Sequence, residues 1–296
     1  VFYMQGGLNG KELLHGQLRF SNDLESFLRI LEQTQDTLRN VPEDYLLGIA
    51  PHSLRAVSPK LLTEIIEAKD SGPVHIHIAE QVREVEEIQE QFGGTPVEWL
   101  LENAPVNSRW CLIHATHMTQ EETRNLAKSG AVVGLCPITE ANLGDGIFDG
   151  SSLLLHGGRY GIGSDSNVRI SLSEELRLLE YSQRFVLKER NVMTQNSESV
   201  GMALYVDALM GGAQALNRKS GFIAPEYWAD LLTLDSEALA FCGCSDGEIL
   251  DRWIFAGDDS LVCDVWSAGR LMVSDGRHIK HNEIERRYRS VIQEFK

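Results

Sequence analysis

Five times along this chain a short apolar run ends in a polar cluster, with helical patterns between most of the runs. The runs lie at residues 45–50, 73–78, 109–114, 131–136 and 159–163, and another, at 1–4, opens the sequence. They show little polar alternation, which is the pattern of parallel strands covered on both faces. Helices are predicted at 23–38, 82–92, 96–103, 173–189 and 199–216. Ser58 as N-cap with Pro59 behind it starts a further one, and Thr119 with Glu122 forms a capping box for a helix to Lys128. Each cluster sits at a strand's C-terminal end: His52 and Arg55, His77 and Glu80, His114, residues 139–142, and Asp165. In a β/α barrel those ends share one rim, where active sites lie. A doubly wound sheet would gather its ligands at a single switch point. Several separate strand ends favour the barrel, although six strands fall short of the eight that closure needs.

The densest cluster is Pro-Val-His-Ile-His-Ile-Ala-Glu at 73–80. Val74, Ile76 and Ile78 alternate with His75, His77 and Ala79, so both imidazoles point to one side and Glu80 lies just past the strand end. A metal site with an acid/base beside it can be built this way. The same stretch also fits a buried strand with hydrogen-bonded core histidines. His114 alone reads as a core histidine, Asp165 as a helix cap or Asx-turn, and Arg55 as a surface cation.

The formal net charge is -16, which argues against nucleic acid and anionic membrane as partners. It also means that an anionic substrate needs a local cation. No apolar run reaches membrane-span length, and no secretory leader is visible. Five cysteines without framework spacing fit a reducing cytoplasm. Cys242-Gly-Cys244 could bind metal, but no second pair follows it. Past Gly221, short runs at 228–235, 262–266 and 270–273 predict a small β-domain, followed by a charged amphipathic helix at 285–295. Because Val1 opens in a strand-like stretch, a preceding segment is expected.

Taken in order, a strand-end His, a Glu three residues on, a His one unit later and an Asp two units further resemble the amidohydrolase superfamily, in particular its deaminase-like branch with one divalent metal. Longer stretches strengthen the resemblance: Pro-His-Ser-Leu-Arg at 51–55, His-Ile-His-Ile-Ala-Glu-Gln at 75–81, Trp-Cys-Leu-Ile-His-Ala-Thr-His at 110–117, Thr-Glu-Ala-Asn-Leu-Gly-Asp-Gly at 139–146 and Gly-Ser-Asp-Ser at 163–166. The resemblance implies that His77 and Asp165 bind the metal, Zn2+ first and Fe2+ as the alternative. It makes Glu80 the proton shuttle, His114 the stabiliser of the transition state, and His52 and Arg55 the substrate holders. The implied substrate is a small dicarboxylate whose formimino group is hydrolysed. A purine or pterin deaminase, a chlorohydrolase, or a catalytically silent fragment remain alternatives. A homodimer is left open.

The family also has a His-x-His pair on its first strand. His75 and His77 are not that pair, since too few strand units separate them from Asp165. The expected architecture is therefore an α/β barrel of eight-stranded type lacking its first two strands. Residues 1–218 would form strands three to eight, and 219–296 the end of a small β-domain. His75 is expected to lie deeper in the core. The strands at 1–4 and 160–164 should flank a gap, and metal affinity of the chain alone should be weak.

Overall fold

A computed structural model describes residues 1–166, 168–194 and 199–295. At its centre four parallel strands pair in sequence order: β1 (Val74–Ile78), β2 (Trp110–His114), β3 (Val132–Leu135) and β4 (Arg159–Ile162). In register, Ile78 stands opposite His114 and Leu135 opposite Ile162. The strands bury Val74, Ile76, Ile78, Leu112, Val133 and Tyr160 almost completely, as two-sided cover requires.

The predicted strands at 1–4 and 45–50 appear only as single parallel bridges, Phe2 to Pro51 and Ile49 to Val74. The bridge is made by the residues flanking Pro51: Phe2 N–H donates to the Ala50 carbonyl at 2.8 Å and His52 N–H to the Phe2 carbonyl at 2.9 Å, so the missing Pro51 N–H is not needed. Beyond Phe2, the Met4 and Gln5 amides both turn to the Ala56 carbonyl, which ends regular pairing. The array therefore runs Phe2 segment, Ile49 segment, β1, β2, β3, β4. Among the described residues no ladder joins β4 back to the Phe2 segment.

The helices are α1 (Leu24–Leu38), α2 (Pro59–Glu67), α3 (Val82–Phe92), α4 (Pro96–Asn103), α5 (Gln120–Ser129), α6 (Pro137–Leu143), α7 (Gly150–Leu155), α8 (Leu172–Leu187), α9 (Val200–Ala215), α10 (Ile249–Ala256) and α11 (His281–Glu294). Their starts follow local chemistry. Ser58 accepts from the Leu61 N–H, and Thr119 and Glu122 form the reciprocal box. Helix α9 lies directly on β4, because a Cβ on Gly211 would come within 1.8 Å of the Tyr160 carbonyl oxygen. His75, on the inner face of β1, bonds the Ala215 carbonyl at 2.8 Å through Nε2, which satisfies a carbonyl at the end of α9.

The second sheet is antiparallel, ordered β5 (Leu231–Leu234), β6 (Val262–Ser267), β7 (Arg270–Ser274), β8 (Arg277–His278). Strand β5 is shorter than the predicted 228–235, and a register shift between Leu232 and Leu234 breaks its ladder. An ionic cluster ties this sheet to the rest. Arg218 grips Asp230 through Nε and Nη2 at 2.5 and 2.8 Å and reaches the Asp44 carbonyl at 2.7 Å. Arg270 grips the Asp44 carboxylate at 3.0 and 2.5 Å. Helix α10 buries Trp253 and Ile254 against α8 and α9, and Arg177 of α8 donates to the Ile254 carbonyl at 2.6 Å. Among the described residues no helix is long and apolar enough to cross a membrane.

Candidate active site

The C-terminal ends of β1, β2 and β4 bring His77, His114 and Asp165 together, with one ligand atom from each lying within 4.8 Å of the others. His77 comes from within β1, and its Nδ1 bonds the His52 carbonyl at 2.9 Å. That bond fixes the ring and leaves Nε2 facing the site. His114 is the last residue of β2 and is 1% exposed. Its Nδ1 bonds Glu140 Oε1 at 3.2 Å, and its Nε2 stands 3.7 Å from Glu80 Oε1. The His77 and His114 rings stack at 5.6 Å, and His52 lies 4.8 Å from His77 on the other side.

Backbone strain marks the same rim. Ala79, His114, Ala115 and Asp165 all have left-handed φ, at 49°, 69°, 47° and 37°. Such angles in non-glycine residues cost about 1–3 kcal/mol each and collect at functional sites. Here they turn the chain sharply at three strand ends, so that Glu80, His114 and Asp165 stand over the sheet rather than along it.

Charge is arranged unevenly. Burial favours a neutral His114 ring, but Glu140, Glu80 and Asp165 outweigh it and raise its pKa. His52 is pushed down to about 4 by burial, then by His77 and Arg55. Glu175 is raised to about 7 by burial and by the neighbouring charges of Glu140, Glu174 and Asp165. One of its oxygens accepts from the Ile138 N–H at 2.8 Å, and the other is buried without a hydrogen-bond partner among the described residues. Arg55 opens onto a cleft of about 790 Å³ that His52, Tyr3, Gln5, Gln81 and Arg83 also line.

The six residues given roles by the resemblance meet at or beside one rim: His77, His114 and Asp165 at its centre, Glu80 against His114, and His52 and Arg55 in the adjoining cleft. Sequence reasoning gave no role to Glu84, Glu140 or Glu175. Glu140 lies in the polar cluster at 139–142, and Glu84 occupies the third position of α3 directly after Glu80; those placements were the available signals. Two imidazoles and a carboxylate in this reach form a donor set suited to a divalent metal of the zinc kind.

Parallel strands with their chemistry gathered at the C-terminal ends define a β/α-barrel-type fold of the metal-dependent hydrolase kind. The chain belongs to the amidohydrolase family, which its sequence matches over residues 14–272. It is 45% identical over 297 aligned residues to formimidoylglutamate deiminase of Pseudomonas aeruginosa, covering 100% of this chain and 65% of that protein. It is 29% identical to a 5-methylthioadenosine/S-adenosylhomocysteine deaminase of Shouchella clausii, covering 77% of this chain and 52% of that protein. The crystal structure of an amidohydrolase from Brucella melitensis superposes with a TM-score of 0.94 at 46% identity, covering 99% of this chain and 64% of that one. An adenosine deaminase from Xanthomonas campestris, solved with bound zinc, gives a TM-score of 0.78 at 25% identity, over 92% of this chain and 63% of that one. The chain thus spans just under two thirds of the length of the relatives it matches best among these.

Proposed function

We propose that this chain carries the catalytic rim of a deiminase that hydrolyses N-formimino-L-glutamate to N-formyl-L-glutamate and ammonia, a reaction of histidine degradation. The observation that carries this reading is the convergence of His77, His114 and Asp165, with Glu80 beside them and Arg55 in the adjoining cleft. Likeness to the Pseudomonas protein along the whole chain supports it.

His77 and Asp165 are the proposed protein ligands of one divalent metal, with zinc the first choice. When bound, the metal lowers the pKa of a coordinated water to about 7 and so supplies a nucleophile at neutral pH. The remaining steps belong to the side chains. Asp165 accepts the proton lost by the attacking water. The new C–O bond forms at the formimino carbon as its C=N bond opens. His114, its Nδ1 held by Glu140, turns Nε2 to the site and hydrogen-bonds the attacking oxygen as the tetrahedral centre forms, so it is given the role of a stabilising group rather than a ligand. Glu80 delivers a proton to the nitrogen as the C=N bond opens; the formyl C=O then forms as the C–N bond breaks, and of the hydroxyl proton and the one held by Asp165, one completes the departing NH3 and the other returns to Glu80. Arg55, with His52 beside it, offers a planar cation to a substrate carboxylate, which an acidic protein would otherwise repel.

A purine-type deaminase is the second reading, supported by the Shouchella and Xanthomonas relatives. The Arg55 guanidinium on the cleft wall favours the dicarboxylate, with Gln5, Asn9, Gln17 and Gln81 as further hydrogen-bonding groups beside the Tyr3 and His52 rings. Ammonia release by the full-length metal-loaded protein decides between them. Turnover of N-formimino-L-glutamate without turnover of 5-methylthioadenosine or adenosine is expected, and the reverse overturns the reading.

A further inference from the structure

Glu84 takes no part in the steps above, yet its carboxylate is 1% exposed in the first turn of α3. Its Oε1 accepts the Ala79 N–H and its Oε2 accepts the Glu80 N–H, both at 3.1 Å. Arg55 Nη2 stands 3.7 Å from the same Oε2. A glutamate at the third helical position ordinarily turns back to the N-cap N–H. Here Gln81 is the N-cap, and Glu84 reaches past it to the two residues before it. One of those, Ala79, carries the left-handed φ of 49° that turns the chain off β1. A buried carboxylate facing two amides and a guanidinium is satisfied only while all three stay in place.

We infer that Glu84 is a positioning residue coupling the two halves of the site: it fixes the turn that aims Glu80 and holds the Arg55 guanidinium toward the cleft. This rests on the proposed roles of Glu80 in proton transfer and Arg55 in carboxylate binding. A neutral amide in its place keeps the shape but presents an NH2 to one donor and leaves Arg55 without its counter-charge. Both the proton-transfer step and substrate binding then suffer from one substitution at a residue that takes no part in the reaction itself.

The test compares Glu84→Gln with wild type in the full-length metal-loaded protein, recording metal content, melting temperature, kcat and KM. The expected result is a kcat about 10–100-fold lower, the range for removing a supporting partner, together with a raised KM and unchanged metal content. Glu84→Asp, whose carboxylate stops one methylene short, is assayed in the same way if the Gln variant does not fold. If kcat and KM per folded molecule stay within about twofold of wild type and only the melting temperature drops, Glu84 is structural and the inference is overturned. Wild-type turnover of the formimino substrate tests the functional reading. The variant-to-wild-type ratio tests the inference, on that substrate or on any other that the wild type hydrolyses.

Discussion

The Arg218–Asp230–Asp44–Arg270 cluster and the rim around His77, His114 and Asp165 both gather charged side chains, yet they pair them differently. In the first, each guanidinium meets a carboxylate in a two-pronged grip at 2.5–3.0 Å. Those donors are used up, and what the cluster does is hold β5, β6 and β7 against the segment at Asp44. On the rim Glu140 holds one His114 nitrogen at 3.2 Å, but two pairs stand off: 3.7 Å from the other His114 nitrogen to Glu80 and 3.7 Å from Arg55 to Glu84. A pair at that distance still feels the neighbouring charge but leaves a donor or lone pair for something else. Two-pronged guanidinium–carboxylate pairing therefore marks the structural cluster, and the groups given roles in the reaction keep a donor or lone pair free on a strained backbone.

The comparison breaks first at Glu80. In the complete enzyme Glu80→Gln should retain metal and fold yet lose about 10²–10⁴-fold in kcat, as removal of a general acid/base does; near wild-type turnover at full metal loading sinks the role given to it. Next comes Arg55→Met, which should cost on the order of 2–5 kcal/mol in kcat/KM, the range for removing one partner of a charge pair. Its loss should be much smaller for an analogue lacking the carboxylate that Arg55 meets, and equal losses across analogues would make Arg55 structural. The ionic cluster should answer in the opposite way. Arg218→Met is expected to lower the melting temperature by a few degrees while kcat per folded molecule stays within about twofold. A kinetic defect at unchanged stability would erase the distinction.

The smallest effect is in pH. Arg270 beside Asp44, and Arg218 beside Asp230, hold both carboxyls below their usual range. A carboxyl with a depressed folded pKa contributes stability above its unfolded value, about 3.9, and loses it as pH falls through the lower folded value. Asp44→Asn should therefore melt below wild type at pH 7, and the gap should narrow below about pH 4. Melting curves at pH 7 and pH 3 check this; a gap that ignores pH removes the cluster's electrostatic role.

The sequence made the β/α units legible because apolar runs and capping residues are local signals. Ser58 with Pro59 and Thr119 with Glu122 start helices where their spacing says they should. It overstated the strands at 1–4 and 45–50, because pairing there stops where Met4 and Gln5 turn to the Ala56 carbonyl, a long-range matter. His77, Glu80, His114 and Asp165 were readable as strand-end residues. Glu84 and Glu140 were not: a glutamate in a helix's first turn is usually a solvated cap, and only the packed fold shows that these two are buried against Ala79, Glu80 and Cys136 amides and the His114 ring.

The left-handed residues at the strand ends carry a consequence for anyone who tries to make this protein tougher. Ala79 sits at a φ that glycine would adopt without cost, so a search for stabilising substitutions ranks it high. Glycine there would release the strain and also loosen the turn that aims Glu80. Selection for heat resistance alone would thus erode the reaction by improving the chain one residue away from it, and a thermal screen of this fold needs an activity filter at its rim.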